Sequence, residues 1–236
     1  MRPIRRISAA LVALAFLTGA AQRDPANPTC PIKPDFGPTA EMTLTPVDRD
    51  GKRVLLAEGV IDPYFPDRLR DAIESDELIE EIWMRSAGGD ARAGNEAGAV
   101  IRSYPGMLTR IPKGWSCFSA CNFIFMGGDR RVVEDGGYFM VHMFTHTGQR
   151  DVIQNSVDKG AEDTVELIGE IEQLSALLAS EDNDFLIRMG ISRKLLTEVM
   201  YRQLATGGKD GEGERYCLNQ DEVRKYNVMP VERRAE

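Results

Sequence analysis

The chain has 236 residues, 42% hydrophobic and 28% charged, enough for one domain with a sizeable core. Its formal net charge of −8 argues against nucleic acid and anionic membrane surfaces as partners and fits plain solubility. There is no internal repeat, and a proline-rich stretch near the start is the sole compositional bias.

The first segment, MRPIRRISAALVALAFLTGAAQ, has Arg2, Arg5 and Arg6, an apolar run from Ile7 to about Leu17, then Gly19, Ala20 and Ala21. Charged, apolar and small residues in that order read as a secretory signal peptide over residues 1–21. The apolar run is too short to span a bilayer of roughly 30 Å. Cleavage removes three arginines and no acid, so net charge moves from −8 to −11. The expected location is periplasmic or secreted, with no membrane association after cleavage.

Residues 22–46, with Pro25, Pro28, Pro31, Pro34, Pro38 and Pro46, read as an extended leader of little regular structure. Residues 47–236 read as a single domain. RVLLAEGVI is a strand, and FPDRLRDAIESD sets Phe65, Leu69 and Ile73 at helical spacing. LIEEIWMRS is a strand running into SAGGDARAG, and AGNEAGAVIRSY is a small-residue helix suited to close packing on a sheet. MLTRIP follows as a short strand, SACNFIFMGG as a short apolar helix, and GYFMVHMF as a strand ending near His142. Strands alternating with helices suggest βαβ units and a mostly parallel sheet.

Val152 to Ser180 reads as one long amphipathic helix, with Val165, Ile168, Ile171, Leu174 and Leu178 on one face and Glu166, Glu170 and Glu172 away from it. FLIRMGISRKLLTEVMYRQ reads as a second helical stretch broken near Gly190. TGGKDGEGE is then a flexible loop and LNQDEVRKYNV a final short helix.

Four cysteines suit an oxidising compartment and allow three pairings. Cys117 and Cys121 are four apart and fall close together on a helix, while Cys30 and Cys217 lie near opposite ends of the mature chain. The preferred pairing is Cys117–Cys121 with Cys30–Cys217. Zinc is a weaker alternative, because the spacing is not CxxC and there are only two histidines. No metal and no cofactor is expected.

Acyl transfer by serine needs a base, donors for the oxyanion and a held nucleophile. Taken singly, Ser119 reads first as a helix N-cap and His142 as a packed strand histidine, while His146 in THTGQ reads as a surface residue. The glycines of SAGGD follow a strand and open a helix, so their backbone N–H groups suit an oxyanion. They equally suit an ordinary tight turn. A phosphate reading lacks the GxxxxGK[ST] and GxGxxG spacings.

The order IWMRSAGGDARAG, then WSCFSAC with an apolar helix, then GYFMVHMF, then a long helix, resembles the Clp protease proteolytic subunit and its crotonase-like superfamily over roughly residues 53–200. Ser86, Ala87, Gly88 and Gly89 match the family's SPGG, and Ala93-Gly94 its later AG with one shift. AEGVID at 57–62 is similar to an early family strand, and TGQ at 147–149 to the turn after its histidine. The CxSAC form with an export signal resembles the periplasmic Clp-like branch.

This resemblance implies a crotonase-like (Clp-type) α/β fold of repeated ββα units, with a mostly parallel sheet and a long C-terminal handle helix. It implies Ser119 as nucleophile, His142 as base, and Gly88 and Gly89 with the Ala120 N–H as oxyanion hole. Ala87 replaces the family's proline, Ala120 its usual Met, and Arg215 stands where its triad aspartate belongs. Asp210, with Glu212 and Glu214 nearby, becomes the expected orienting acid. The implied function is an exported serine peptidase, cleaving peptides or unfolded segments through an acyl-enzyme without ATP, as a homo-oligomer. Two alternatives come from other classes. One is a catalytically inactive Clp-like scaffold, motivated by Arg215. The other is a crotonase-type acyl-CoA enzyme, for which export is a poor location and Ser119 with His142 superfluous.

Overall fold

The structure, a computed structural model, describes residues 23–25, 28–143, 149–199 and 215–230. The signal segment, Asp210, Glu212, Glu214 and His146 lie outside the described residues.

The hairpin of β1 (Thr43–Arg49) and β2 (Lys52–Glu58) turns at Asp50 and Gly51, both at positive φ, as a two-residue hairpin loop requires. The expected leader therefore ends inside a strand. Pro46 fits there because β1 is an edge strand, where a missing N–H costs least. From β2 the chain passes through α1 (Phe65–Ser75) to β3 (Ile79–Arg85), then through α2 (Ala91–Arg102) to β4 (Leu108–Ile111). Phe65, Leu69 and Ile73 of α1 are buried, as their helical spacing requires.

Two strand–strand–helix units follow. β4 and β5 (Ser116–Phe118) lead into α3 (Cys121–Met126); β6 (Arg130–Val133) and β7 (Tyr138–Val141) lead to a helical pair. The larger sheet has the order β1-β2-β3-β4-β6, parallel except for β1. A smaller sheet joins β5 and β7 in parallel, with β8 (Tyr216–Cys217) antiparallel at its edge. The molecule is thus mixed α/β with mostly parallel strands. The sequence pattern missed β1, β5, β6 and β8, all short, polar or edge-bound. The small-residue face of α2 meets α3 rather than a sheet, with Gly94 against Ala120 and Gly98 against Phe123.

The single long helix expected over Val152–Ser180 is two: α4 (Arg150–Lys159) and α5 (Ala161–Arg188). Gly160 separates them at φ +132°, a conformation no helix contains. Their apolar residues are largely uncovered; Val157, Val165, Ile168 and Leu174 are exposed, and only Phe185 and Leu186 at the far end of α5 are buried. Beyond the expected break at Gly190, residues 194–199 are helical, and α6 (Gln220–Lys225) closes the described chain behind an Asn219 capping box.

Disulfides join Cys30 to Cys217 and Cys117 to Cys121. The first fastens the proline-rich segment to β8, and the second spans the turn from β5 into α3. No described helix is long and apolar enough to cross a membrane.

Candidate active site

Ser119 occupies the turn between β5 and α3 at φ +58°, in the left-handed region. For a side chain other than glycine this costs of the order of 1–3 kcal/mol and is found where the surroundings over-determine it. The Cys117–Cys121 disulfide, closing four residues around Ser119, is such a surrounding. Ser119 does not cap the helix: the N-cap position belongs to Ala120, and no side chain caps α3. The Ser119 Oγ instead lies 2.7 Å from His142 Nε2. β7 delivers the histidine, which stands one residue past the strand's end at Val141.

Burial holds the His142 imidazole below its ordinary value; a hydrogen bond with the Met143 backbone opposes this, and the Arg215 guanidinium adds to the depression. Phe118 stacks on the imidazole at 4.6 Å between centroids, and Arg215 lies over the Phe118 ring at 5.7 Å. Among the described residues no carboxylate hydrogen-bonds His142.

Gly88 and Gly89 leave β3 at φ +96° and +146°. A Cβ on Gly88 would come within 2.7 Å of Ser119 Cβ, and one on Gly89 within 2.1 Å of the Ile61 carbonyl oxygen, so neither position accepts a side chain. Their N–H groups differ. Gly88 N–H donates to Ser86 Oγ at 3.0 Å and is spent. The bridge of Gly89 with Ile61 uses the Gly88 carbonyl and the Asp90 N–H, leaving Gly89 N–H pointing the other way. Among the described residues, Gly89 N–H and Ala120 N–H have no hydrogen-bond acceptor. Gly88 N–H is thus already used, while those of Gly89 and Ala120 are not.

Ser119 and His142 line a cavity of about 350 Å³ between α3, β7, α5 and residues 195–199. Phe123, Met126, Phe139, Leu178 and Leu195 make it largely apolar. Asp182 also lines it, accepting a hydrogen bond from Asn95 Nδ2 at 2.9 Å. The sequence reading passed over Asp182, since an acid on an amphipathic helix looks like solvated surface. The available signal was its spacing, four residues after Leu178 and seven after Ser175, on the same face.

No family model matches the chain, and no curated protein matches it. Among solved structures it is similar to a mutant of ClpP1 from Listeria monocytogenes at 13% identity, with a TM-score of 0.45 over 75% of this chain and 88% of that one. A mutant of a membrane-bound stomatin-specific protease is similar at 15% identity and a TM-score of 0.45, over 75% of each chain. An enoyl-CoA hydratase from Shewanella pealeana is similar at 10% identity and a TM-score of 0.44, over 79% of this chain and 66% of that one.

Proposed function

We propose that the protein is an exported Clp-like serine peptidase that cleaves peptides or unfolded segments through an acyl-enzyme, without ATP. One observation carries this: Ser119 Oγ lies 2.7 Å from His142 Nε2, with the unspent N–H groups of Gly89 and Ala120 alongside. In the reaction, Ser119 Oγ attacks the scissile carbonyl carbon as its proton passes to His142 Nε2. The oxyanion accepts from Gly89 N–H and Ala120 N–H. His142 then returns the proton to the leaving amine, the C–N bond breaks and an ester to Ser119 remains. Water, deprotonated by the same Nε2, hydrolyses that ester and frees the acid and the serine.

The depressed proton affinity of His142 keeps it neutral, and so able to act as base, at neutral pH. The proposal keeps Asp210, outside the described residues, as the acid that orients the imidazole. An inactive scaffold is the weaker reading, since a scaffold has no use for a serine–histidine contact at the mouth of a cavity. The signal segment and two disulfides support export. The exposed apolar residues of α4 and α5 support assembly into a homo-oligomer through the handle, a claim that a monomer in light scattering at micromolar concentration removes. The direct test is hydrolysis of an unfolded polypeptide in the absence of nucleotide. Cleavage that disappears in Ser119→Ala supports the proposal, and cleavage that survives it unchanged contradicts it.

A further inference from the structure

Among the described residues that line the cavity, His142 and Asp182 are the two that titrate, and none is a lysine or arginine. Asp182 projects from α5 into largely apolar surroundings. Its hydrogen-bond partner among the described residues is Asn95 of α2, and the adjacent Glu181 adds like charge. Glu181 in turn pairs with the exposed Arg92 at 3.5 Å. Asn122, which lines the cavity, has its buried Oδ1 without a donor among the described residues. The described wall thus carries a carboxylate and an amide oxygen, and no described cation to meet them. A buried acceptor without a donor is costly and is matched in nearly all native sites.

Resting on the peptidase reading above, we infer that this cavity is the primary specificity pocket and selects a lysine-like side chain, with an apolar stem and a cationic tip, on the acyl side of the bond cut. Phe123, Met126 and Leu178 take the methylenes, and the ammonium supplies donors to Asp182. The volume, about 350 Å³, accommodates such a side chain and falls at the lower end of ligand-pocket sizes. Burial raises the Asp182 carboxyl to about 6, against the Asn95 hydrogen bond, with Glu181 adding to the rise. Asp182 is therefore anionic at pH 8 and largely protonated at pH 5. His142, the other titratable wall residue, becomes cationic toward acid and weakens cation binding in the same direction.

The test uses the Ser119→Ala protein, so that binding is read without turnover. Two fluorescein-tagged peptides are compared by anisotropy, Ala-Ala-Ala-Lys-Ala-Ala and the same peptide with norleucine for lysine. At pH 8 the lysine peptide is expected to bind about ten- to a hundredfold more tightly. The advantage shrinks at pH 5 and disappears when Asp182→Asn is added. Equal or tighter binding of the norleucine peptide overturns the inference. Should Asp182→Asn fail to fold by circular dichroism, the pH comparison decides on the protein with Asp182 intact, and an unchanged lysine preference at pH 5 counts against it. If the unaltered protein does not hydrolyse the lysine peptide while Ser119→Ala keeps the lysine preference, the peptidase reading alone is overturned.

Discussion

Two acids, Glu81 in the sheet and Asp182 on the handle helix, are treated in opposite ways. Glu81 on β3 is 2% exposed, and burial pushes its carboxyl up; hydrogen bonds from Arg110, Lys52 and Trp83 outweigh this and bring it down to about 2. Asp182 receives one amide hydrogen bond, and burial leaves it at about 6. The sheet satisfies its buried charge in full, as a structural element must. The cavity leaves its charge under-matched, as a site waiting for a partner would. The difference separates an acid that holds the fold from one available to a ligand.

That contrast breaks first at Glu81. Glu81→Ala takes away the carboxylate that Lys52, Arg110 and Trp83 share, and is expected to cost about 3 kcal/mol, or roughly 10 °C in Tm. A thermal melt showing no loss would remove its structural role. Asp182→Asn should do the reverse. A carboxyl raised from its ordinary value destabilises the fold wherever it is ionised, so the variant gains of the order of 1–3 kcal/mol at pH 7 by the same melt. Unchanged or reduced stability would mean that Asp182 is better matched than Asn95 alone allows.

A pH titration of stability sharpens the pair further. Asp182 binds more protons folded than unfolded, so its contribution improves as pH falls from about 6 toward 4. Glu81 binds fewer, so its contribution is full above about 4.5 and is lost as pH falls toward 2. In Asp182→Asn the gain between pH 6 and 4 should vanish while the acid loss remains. The smallest effect is electrostatic and belongs to the site. Arg215→Ala should move the acid limb of the Ser119 labelling rate upward, because the guanidinium opposes protonation of His142. A downward shift would reverse its assigned role.

Periodic segments were legible in the sequence. The spacing of Phe65, Leu69 and Ile73 gave α1, and the apolar runs around Ile82 and Phe139 gave the strands that carry the glycine turn and His142. What failed was short or locally ambiguous. Asp50-Gly51 is a hairpin signal, but the prolines before it drew β1 into the leader. Arg130 and Arg131 hid β6, although the buried Arg131 guanidinium meets the backbone carbonyls of Val228 and Gly128. Gly160 sat inside a helical pattern that its positive φ interrupts. At the site, the order of motifs brought Ser119 and His142 forward as a pair. It could not show which glycine N–H is free, because that depends on the Ser86 hydroxyl and the bridge to Ile61.

The central claim is that His142 activates Ser119 as a nucleophile. Its most direct measurement is labelling with a fluorophosphonate at neutral pH, followed by mass-spectrometric mapping of the adduct. One adduct is expected, on Ser119, absent in Ser119→Ala and slowed at least a hundredfold in His142→Ala, roughly the contribution of a general base. No adduct on the unaltered protein, or equal labelling of Ser119→Ala, would contradict the account.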